Sequence, residues 1–390
     1  VTVSRLTIVA DENIPALESL FRGFGTLRTC AGRSMSTADL QDADVLLVRS
    51  VTQVDQALLA GTPVRFVGTA TIGTDHIDQA WLQQQGIGFS SAPGCNADSV
   101  VEYVLSSLLQ LAAAQSFDLF DKVVGIVGVG NVGGRLQQRL QALGIRVCLC
   151  DPPRQNAEGG DFMVLDEVLA QADILALHTP LTRSGAWPTH HLLNRDNLPK
   201  LKQGAILLNA GRGPVIDNQA LLDVSRQRPD LMLIMDVWEH EPAVDPQLAA
   251  RCDIATPHIA GYSLDGKIRG TWMLYQALCR HLGQAVEIEL EQVLPPSTVC
   301  ALTLADANDL LTPARLVYDP YRDDRALRSV LHLADTEQRL AFDRLRREYP
   351  ERREYSTLEV QVQADGAVDR LRALGFRCHP QAKGREVADD

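Results

Sequence analysis

Three polar positions stand out by type and setting. His258 lies in TPHIAGY (residues 256–262), between a short apolar run and a glycine. Arg212 sits between two glycines in NAGRGP (209–214), and an acidic segment, DVWEHEP (236–242), lies between the two in the chain. A histidine titrates in the range needed to take a proton near neutrality. The planar fork of an arginine holds a carboxylate and polarises an adjacent oxygen. A carboxylate beside the histidine orients its ring and raises its pKa. Together these are the parts needed to oxidise an alcohol next to a carboxylate, the proton leaving oxygen as a hydride leaves carbon. Glu239, His240 and Glu241 all compete for the place beside the histidine, and spacing alone does not choose among them.

A hydride needs an acceptor, and a second motif supplies its site. The run VVGIVGVGNVGGRLQQRLQAL contains Gly128-Val-Gly130-Asn-Val-Gly133 between an apolar stretch and a helical pattern. In that setting the first glycine permits a tight turn, the second lets backbone approach a pyrophosphate, and the third lets helix and strand pack closely. The helix N-terminus then offers free N–H groups to the phosphates. Asp151 follows Gly133 by 18 residues, at the end of the next apolar run. A carboxylate there accepts hydrogen bonds from ribose hydroxyls and repels an additional phosphate, which favours NAD over NADP. Arg154, three residues on, is placed to soften that preference.

These residues need a scaffold that brings them to one edge. Residues 5–95 alternate strand-like runs (LTIVA, DVLLVRS, VRFVGTA, GIGFSSAP) with helix-like ones (IPALESLFRGF, DQAWLQQQG). Residues 120–262 repeat the pattern, with strands ending at VVGIVG, IRVCLCD, DILALHTP, AILLNAGRG, LMLIMDVWEHEP and CDIATPHIAG. Such alternation predicts parallel α/β sheets, with ligands beyond the carboxyl ends of the strands. Every strand of the second set delivers a polar residue to that edge. The apolar helix ADSVVEYVLSSLLQLAAAQ suits a buried element joining two domains, and SLDGKIRGTWMLYQALCRHLG reads as a helix returning to the first. After LPPS (294–297) the chain turns rich in Arg, Asp and Glu, and a small α+β domain is expected. The fold expected is therefore α/β, with two Rossmann-like parallel-sheet domains and a small C-terminal domain. The boundaries expected are 1–98 with 263–290, 99–262, and 291–390, with a frayed tail near QAKGREVADD.

At 390 residues the chain is too long for a single core at roughly 100–200 residues per domain. A net charge of −12 argues against nucleic acid as a partner. Eight scattered cysteines show no Cys-x-x-Cys spacing, which predicts free thiols in a reducing compartment. Cys148 and Cys150 read as core residues on one strand face. No metal is expected: His178 reads as structural or cofactor-adjacent, and His190 and His191 as a loop leading into a helix. The N-terminus lacks the layout of a secretory signal, and no run reaches the roughly 18 apolar residues of a membrane span. A cytoplasmic protein without membrane association is expected.

VGIVGVGNVGGRL, HTPLT, LLNAGRGPVID, DVWEHEP and TPHIAGY together resemble the D-isomer-specific 2-hydroxyacid dehydrogenases, over residues 5 to about 285. The resemblance implies catalytic roles for Arg212, Glu241 and His258, since the family's glutamate directly precedes the proline. It implies cofactor contacts at Gly128, Gly130, Asn131, Val132, Gly133, Asp151, Thr179, Ala210, Gly211, Arg212, Asp236 and Gly261, with NAD as the cofactor. A narrower resemblance rests on VRSVTQVD, FVGTATIGTDHID, SAPGCNADSVVEYV, CDPPR and HIAGYSLDGKIRGT. LVYDPYRDDRALR and FDRLRREYPERREYSTLEV are similar to the C-terminal dimerisation domain of one branch of the family. That branch implies a homodimer oxidising a small phosphorylated hydroxy acid, 4-phospho-D-erythronate, to 2-oxo-3-hydroxy-4-phosphobutanoate on the route to pyridoxal 5'-phosphate. It also implies substrate contacts at Ser50, Thr71 and Tyr262. Arg49, at a strand end, is a candidate for the phosphate end of the substrate. The segment LTRSGAWPTHHL and the tail after CHP depart from the branch. The rival readings are the same chemistry on another D-2-hydroxy acid such as 3-phosphoglycerate, and an NAD-sensing corepressor or scaffold.

Overall fold

The computed structural model describes residues 5–362 and 368–380; the expected fraying near QAKGREVADD falls outside the described residues. The contacts divide the chain into two compact units. One runs to Asn96 and resumes over Ser263–Pro296; the other comprises Ala97–Tyr262 and what is described from Ser297 onward.

The first unit holds a parallel sheet of β1 (Leu6–Asp11), β2 (Gly25–Cys30), β3 (Val45–Val48), β4 (Phe66–Thr69) and β5 (Gly88–Ser90), in the order β2-β1-β3-β4-β5. The inner strands are apolar and buried on both faces, as a sheet covered by helices requires. β2, GTLRTC, is an edge strand whose side chains are largely exposed, and it has no apolar run to announce it. The helix Leu264–Leu282 packs Leu274, Tyr275 and Leu278 into the core formed by β1, β3 and β4, so this late segment does return to the first unit.

The second unit holds β6 (Val123–Val127), β7 (Arg146–Cys150), β8 (Ile174–Leu177), β9 (Ile206–Asn209), β10 (Met232–Met235) and β11 (Ile254–Ala255), all parallel. Their order is β11-β10-β9-β8-β6-β7. The chain leaves β6 for β7 on one side and later returns to place β8 on the other. The glycine loop after β6 therefore lies at the point where strand order reverses, where such sheets open a crevice. Cys148 and Cys150 are both buried on β7, and all eight cysteines are free thiols.

A third sheet, also parallel, consists of β12 (Ala301–Leu304), β13 (Glu359–Val362) and β14 (Arg377–Pro380). Its connecting helices cover what the sheet of the second unit leaves open. β11 is the sheet edge, and Asp324 accepts the Ala255 N–H at 2.8 Å. Arg328, held by Asp324, donates to the carbonyls of Ala249 and Cys252. The helix Ala97–Gln115 is buried almost all round, and three of its buried polar residues meet partners from the C-terminal segment. Ser99 donates to Glu354 at 3.0 Å and Ser106 to the Tyr318 carbonyl at 2.7 Å, while Glu102 accepts the Tyr355 N–H at 2.9 Å. Arg352, only 2% exposed, lies 3.7 Å from the Tyr318 ring centroid and donates to the carbonyls of Ser99 (2.6 Å) and Ala260 (3.0 Å). Ala260 belongs to the TPHIAGY loop, so the C-terminal segment grips the backbone next to His258.

Replacing Arg352 with Met keeps bulk but removes its donors to those two carbonyls from a buried place. The expected loss is roughly 2–5 kcal/mol of unfolding free energy, read from the urea midpoint. A shift below about 0.5 kcal/mol, typical of a surface site, would contradict this role.

Candidate active site

The three segments carrying Arg212, the WEHEP acids and His258 leave the sheet from adjacent strands. Asn209 pairs with Met235 and Met235 with Ala255, so β9, β10 and β11 end level with one another. The loops that follow are packed on one another. A Cβ built on Gly213 would lie 1.9 Å from the Trp238 carbonyl oxygen, so only glycine allows this approach. Trp238 in turn donates its indole N–H to the Thr256 carbonyl at 3.0 Å. Buried Asn209 ties the Arg212 loop, accepting from Gly211 N–H and donating to the Arg212 carbonyl, both at 3.1 Å.

His258 sits at φ +57°, a conformation uncommon for a residue with a side chain. Asp236 holds it there. The Asp236 carbonyl accepts the His258 N–H at 2.7 Å. Its carboxylate accepts the N–H groups of Ile259 (2.8 Å) and Ala260 (3.0 Å) and the Thr256 hydroxyl (2.6 Å). Tyr103 closes the network by a 2.9 Å contact with the same hydroxyl. Burial pushes the Asp236 carboxyl above its usual range despite the opposing His258 charge and these donors. Asp236 was expected at the cofactor; its carboxylate is turned into this loop.

Geometry separates the two acids of WEHEP. Glu241 accepts the Trp238 N–H at 2.8 Å through one oxygen and lies 2.7 Å from His258 Nδ1 through the other. Glu239 instead meets His191 Nε2 at 2.5 Å and the Asn218 N–H at 3.0 Å, and His240 is exposed. Burial pushes the Glu241 carboxyl up. The His258 hydrogen bond and charge, the Trp238 N–H and the Arg346 charge outweigh it and hold the group below its ordinary 4.5. An ionised carboxylate only accepts, so the shared proton resides on His258 Nδ1, and a ring carrying that proton alone presents a lone pair at Nε2. His258 is about one-third exposed, which leaves Nε2 accessible.

The glycine loop fits a dinucleotide. Gly128 has φ +87°, and a Cβ there would lie 2.8 Å from the backbone of His178 and Thr179. A Cβ on Gly133 would lie 2.0 Å from the Gly128 carbonyl oxygen, whereas one on Gly130 would meet nothing within 4 Å. The middle glycine thus faces open space, at the start of a helix, Asn131–Ala142, that no side chain caps. Beside it, His178 Nε2 and Thr179 Oγ1 are buried without hydrogen-bond partners, and burial lowers His178 to about 4, so its ring is neutral. Val132 is partly buried against the core behind the loop. Asp151, at the end of β7, accepts the Val129 N–H (2.7 Å) and the Arg154 N–H (3.0 Å). Arg154 is engaged by Glu158 and by the Val129 carbonyl. Ala210 and Gly211 line the loop leading to Arg212, and Gly261 follows the Asp236-held turn.

In the first unit, Arg49 and exposed Ser50 follow β3, and Thr71 follows the neighbouring β4. The Thr71 hydroxyl lies 2.7 Å from Thr69 Oγ1 and donates to the Gly73 carbonyl at 2.9 Å. Lys267, on the helix Leu264–Leu282, is a neighbour that sequence reading missed; burial and then the Arg49 charge lower its pKa. The segment LTRSGAWPTHHL closes on itself through Thr182 and Thr189 and carries a second group worth noting. Ligand atoms of His190, His191 and Glu239 lie within 4.8 Å of one another. The two imidazoles are stacked at 4.0 Å and 22°, so their in-plane lone pairs run side by side rather than converging on one ion. No helix among the described residues is long and apolar enough to cross a membrane.

The depressed Glu241 carboxyl stabilises the fold above its unfolded value, and that contribution disappears as pH falls through the lower folded value. Wild type should therefore exceed Glu241→Gln in denaturant stability from about pH 5 upward, with the gap closing below about pH 4.5. A gap that widens in acid would contradict the pairing.

Residues 106–260 match a family profile described as the NAD binding domain of D-isomer specific 2-hydroxyacid dehydrogenases, and residues 293–375 match one described as a domain of unknown function. The chain is 55% identical over 378 residues to a Pseudomonas fluorescens protein named erythronate-4-phosphate dehydrogenase, covering 95% of this chain and 100% of that protein. A protein of the same name from Pseudomonas syringae pv. tomato is 54% identical over 376 residues, covering 95% and 99%. Among solved structures, NAD-bound 3-phosphoglycerate dehydrogenase from Entamoeba histolytica superposes with a TM-score of 0.60 at 22% identity, over 73% of this chain and all of that one. D-lactate dehydrogenase from Aquifex aeolicus gives 0.54 at 23%, over 71% and 95%; these two show the shared fold. With that site on that fold, and with relatives this similar along nearly their whole length, the chain belongs to the erythronate-4-phosphate dehydrogenase family of D-isomer-specific 2-hydroxyacid dehydrogenases.

Proposed function

We propose that this chain oxidises 4-phospho-D-erythronate to 2-oxo-3-hydroxy-4-phosphobutanoate with NAD, as a step in making pyridoxal 5'-phosphate. The observation that carries this reading is the His258 Nδ1–Glu241 contact of 2.7 Å, on the same sheet edge as Arg212. His258 Nε2 takes the proton of the C2 hydroxyl. Glu241 stabilises the imidazolium that results. Arg212 holds the C1 carboxylate and steadies the C2 oxygen as it becomes a carbonyl. NAD, when bound, accepts the hydride from C2. The open face at Gly130 and the uncapped helix start take its pyrophosphate, Asp151 its ribose, and the orphan Thr179 hydroxyl supplies a further polar contact. Asn131, Val132, Ala210, Gly211 and Gly261 contribute backbone around it, and Asp236 contributes through the loop it holds.

Arg49, Ser50 and Thr71 on the first unit and Tyr262 on the second are assigned to the substrate. The protein works in the cytoplasm as a homodimer formed through the segment after Ser297. That assignment is supported by Val299, Leu316 and Leu340, large apolar side chains left 46%, 47% and 67% exposed.

His258→Ala should lower kcat by roughly 10²–10⁴-fold at optimal pH, the usual worth of a positioned acid/base. Near-normal turnover would reject the role. Asp151→Ala should raise the KM for NAD by roughly 10-fold or more, given hydrogen bonds to a charged group, and should cost about 1 kcal/mol of stability through the lost acceptor for the Val129 and Arg154 N–H groups. Unchanged cofactor kinetics would reject the ribose contact.

A further inference from the structure

Arg346 lies on the helix Asp335–Arg347 of the C-terminal segment, within FDRLRREYPERREYSTLEV, and no role has been given to it above. Its Nε is buried and has no hydrogen-bond partner, and among the described residues its guanidinium forms no hydrogen bond or ion pair. Such a group carries five N–H donors and a permanent charge, and leaving the buried Nε–H unspent is costly. What holds it is aromatic. The guanidinium carbon lies 5.7 Å from the Tyr262 ring centroid and 5.9 Å from that of Phe342, one turn earlier on the same helix. Tyr349 meets the Tyr262 ring edge-on at 5.6 Å from the other end of this segment. These faces fix the orientation of the cation without using its donors. The position is also within electrostatic reach of Glu241, the partner of His258.

A fixed, unspent fork beside the loop that carries His258 is a receptor for an anion with several acceptor oxygens. The proposed substrate has two anionic ends, and Arg212 is committed to the carboxylate at the reacting carbon. We propose that Arg346 binds the phosphomonoester end of the substrate, with Tyr262 as the aromatic support that aims it. This deepens the function proposed above and rests on it for the identity of the ligand. It also places a determinant of substrate choice in the C-terminal segment.

The test uses full-length protein saturated with NAD, with inorganic phosphate as the probe followed by ³¹P NMR titration. In Arg346→Gln the phosphate dissociation constant should rise roughly 10–100-fold, the worth of charged hydrogen bonds. The KM for 4-phospho-D-erythronate should rise by a similar factor, with a smaller change in kcat. Arg346→Lys, which keeps charge but not the fork, should recover part of both and controls for folding. Equal phosphate affinity in wild type and Arg346→Gln overturns the proposal. So does a loss confined to Arg49→Gln, which would put the phosphate against Arg49. A fall in kcat with a displaced acid limb of the pH profile and an unchanged KM also overturns it, since Arg346 would then act only through Glu241. The titration needs no turnover. A wild type that binds phosphate through Arg346 yet leaves 4-phospho-D-erythronate unoxidised would refute the assigned reaction and leave the anion site standing.

Discussion

The site depends on one buried carboxylate. Asp236 is 1% exposed and takes three donors from the turn that follows β11, while its own carbonyl takes the N–H of His258. A histidine at positive φ persists only where surroundings over-determine it. Burying Asp236 disfavours its charge, as its raised pKa shows, and the donors offset only part of that cost. Stability is given up there so that one imidazole stands at a fixed place and angle. Glu241 then selects which ring nitrogen is free.

The C-terminal segment belongs to the same physical argument. It closes the edge at β11 through Asp324 and reaches the His258 loop through Arg352 on the Ala260 carbonyl. It pairs with Ser99, Ser106 and one carboxylate oxygen of Glu102 on the helix Ala97–Gln115. A nucleotide-binding sheet of this kind leaves an edge and a polar helix face uncovered, and here both are covered by residues of the same chain. The loop that holds His258 is thus braced from two sides, by Asp236 from within the sheet and by Arg352 from outside it.

What could be read from the sequence was what local geometry imposes. The strands of the second sheet, the glycine turn and the strand-end positions of Arg212 and His258 follow from short-range pattern and steric need, and the structure places them accordingly. β2 escaped because an exposed edge strand carries no apolar run. Glu239 and Glu241 could not be separated by spacing, because their partners, His191 and His258, lie far off in the chain. The C-terminal segment was expected as a small α+β domain, and its pairing was not legible. Its Arg, Asp and Glu residues look like a solvated surface, yet Arg352, Glu354, Asp323 and Asp324 are buried. Their partners are distant, with Arg352 and Ser99 separated by 253 residues, and no periodicity encodes such pairing. Arg346 and Lys267 were missed for the same reason: each looks like an ordinary basic position on an amphipathic helix.

The most direct test of the Asp236–His258–Glu241 arrangement is the tautomer of His258, read from long-range ¹H–¹⁵N correlations in full-length protein labelled at histidine. The arrangement predicts that the neutral ring carries its hydrogen on Nδ1, with Nε2 showing the shift of an unprotonated nitrogen. A neutral His258 protonated at Nε2 would contradict it, because that ring could neither donate to Glu241 nor accept the substrate's proton.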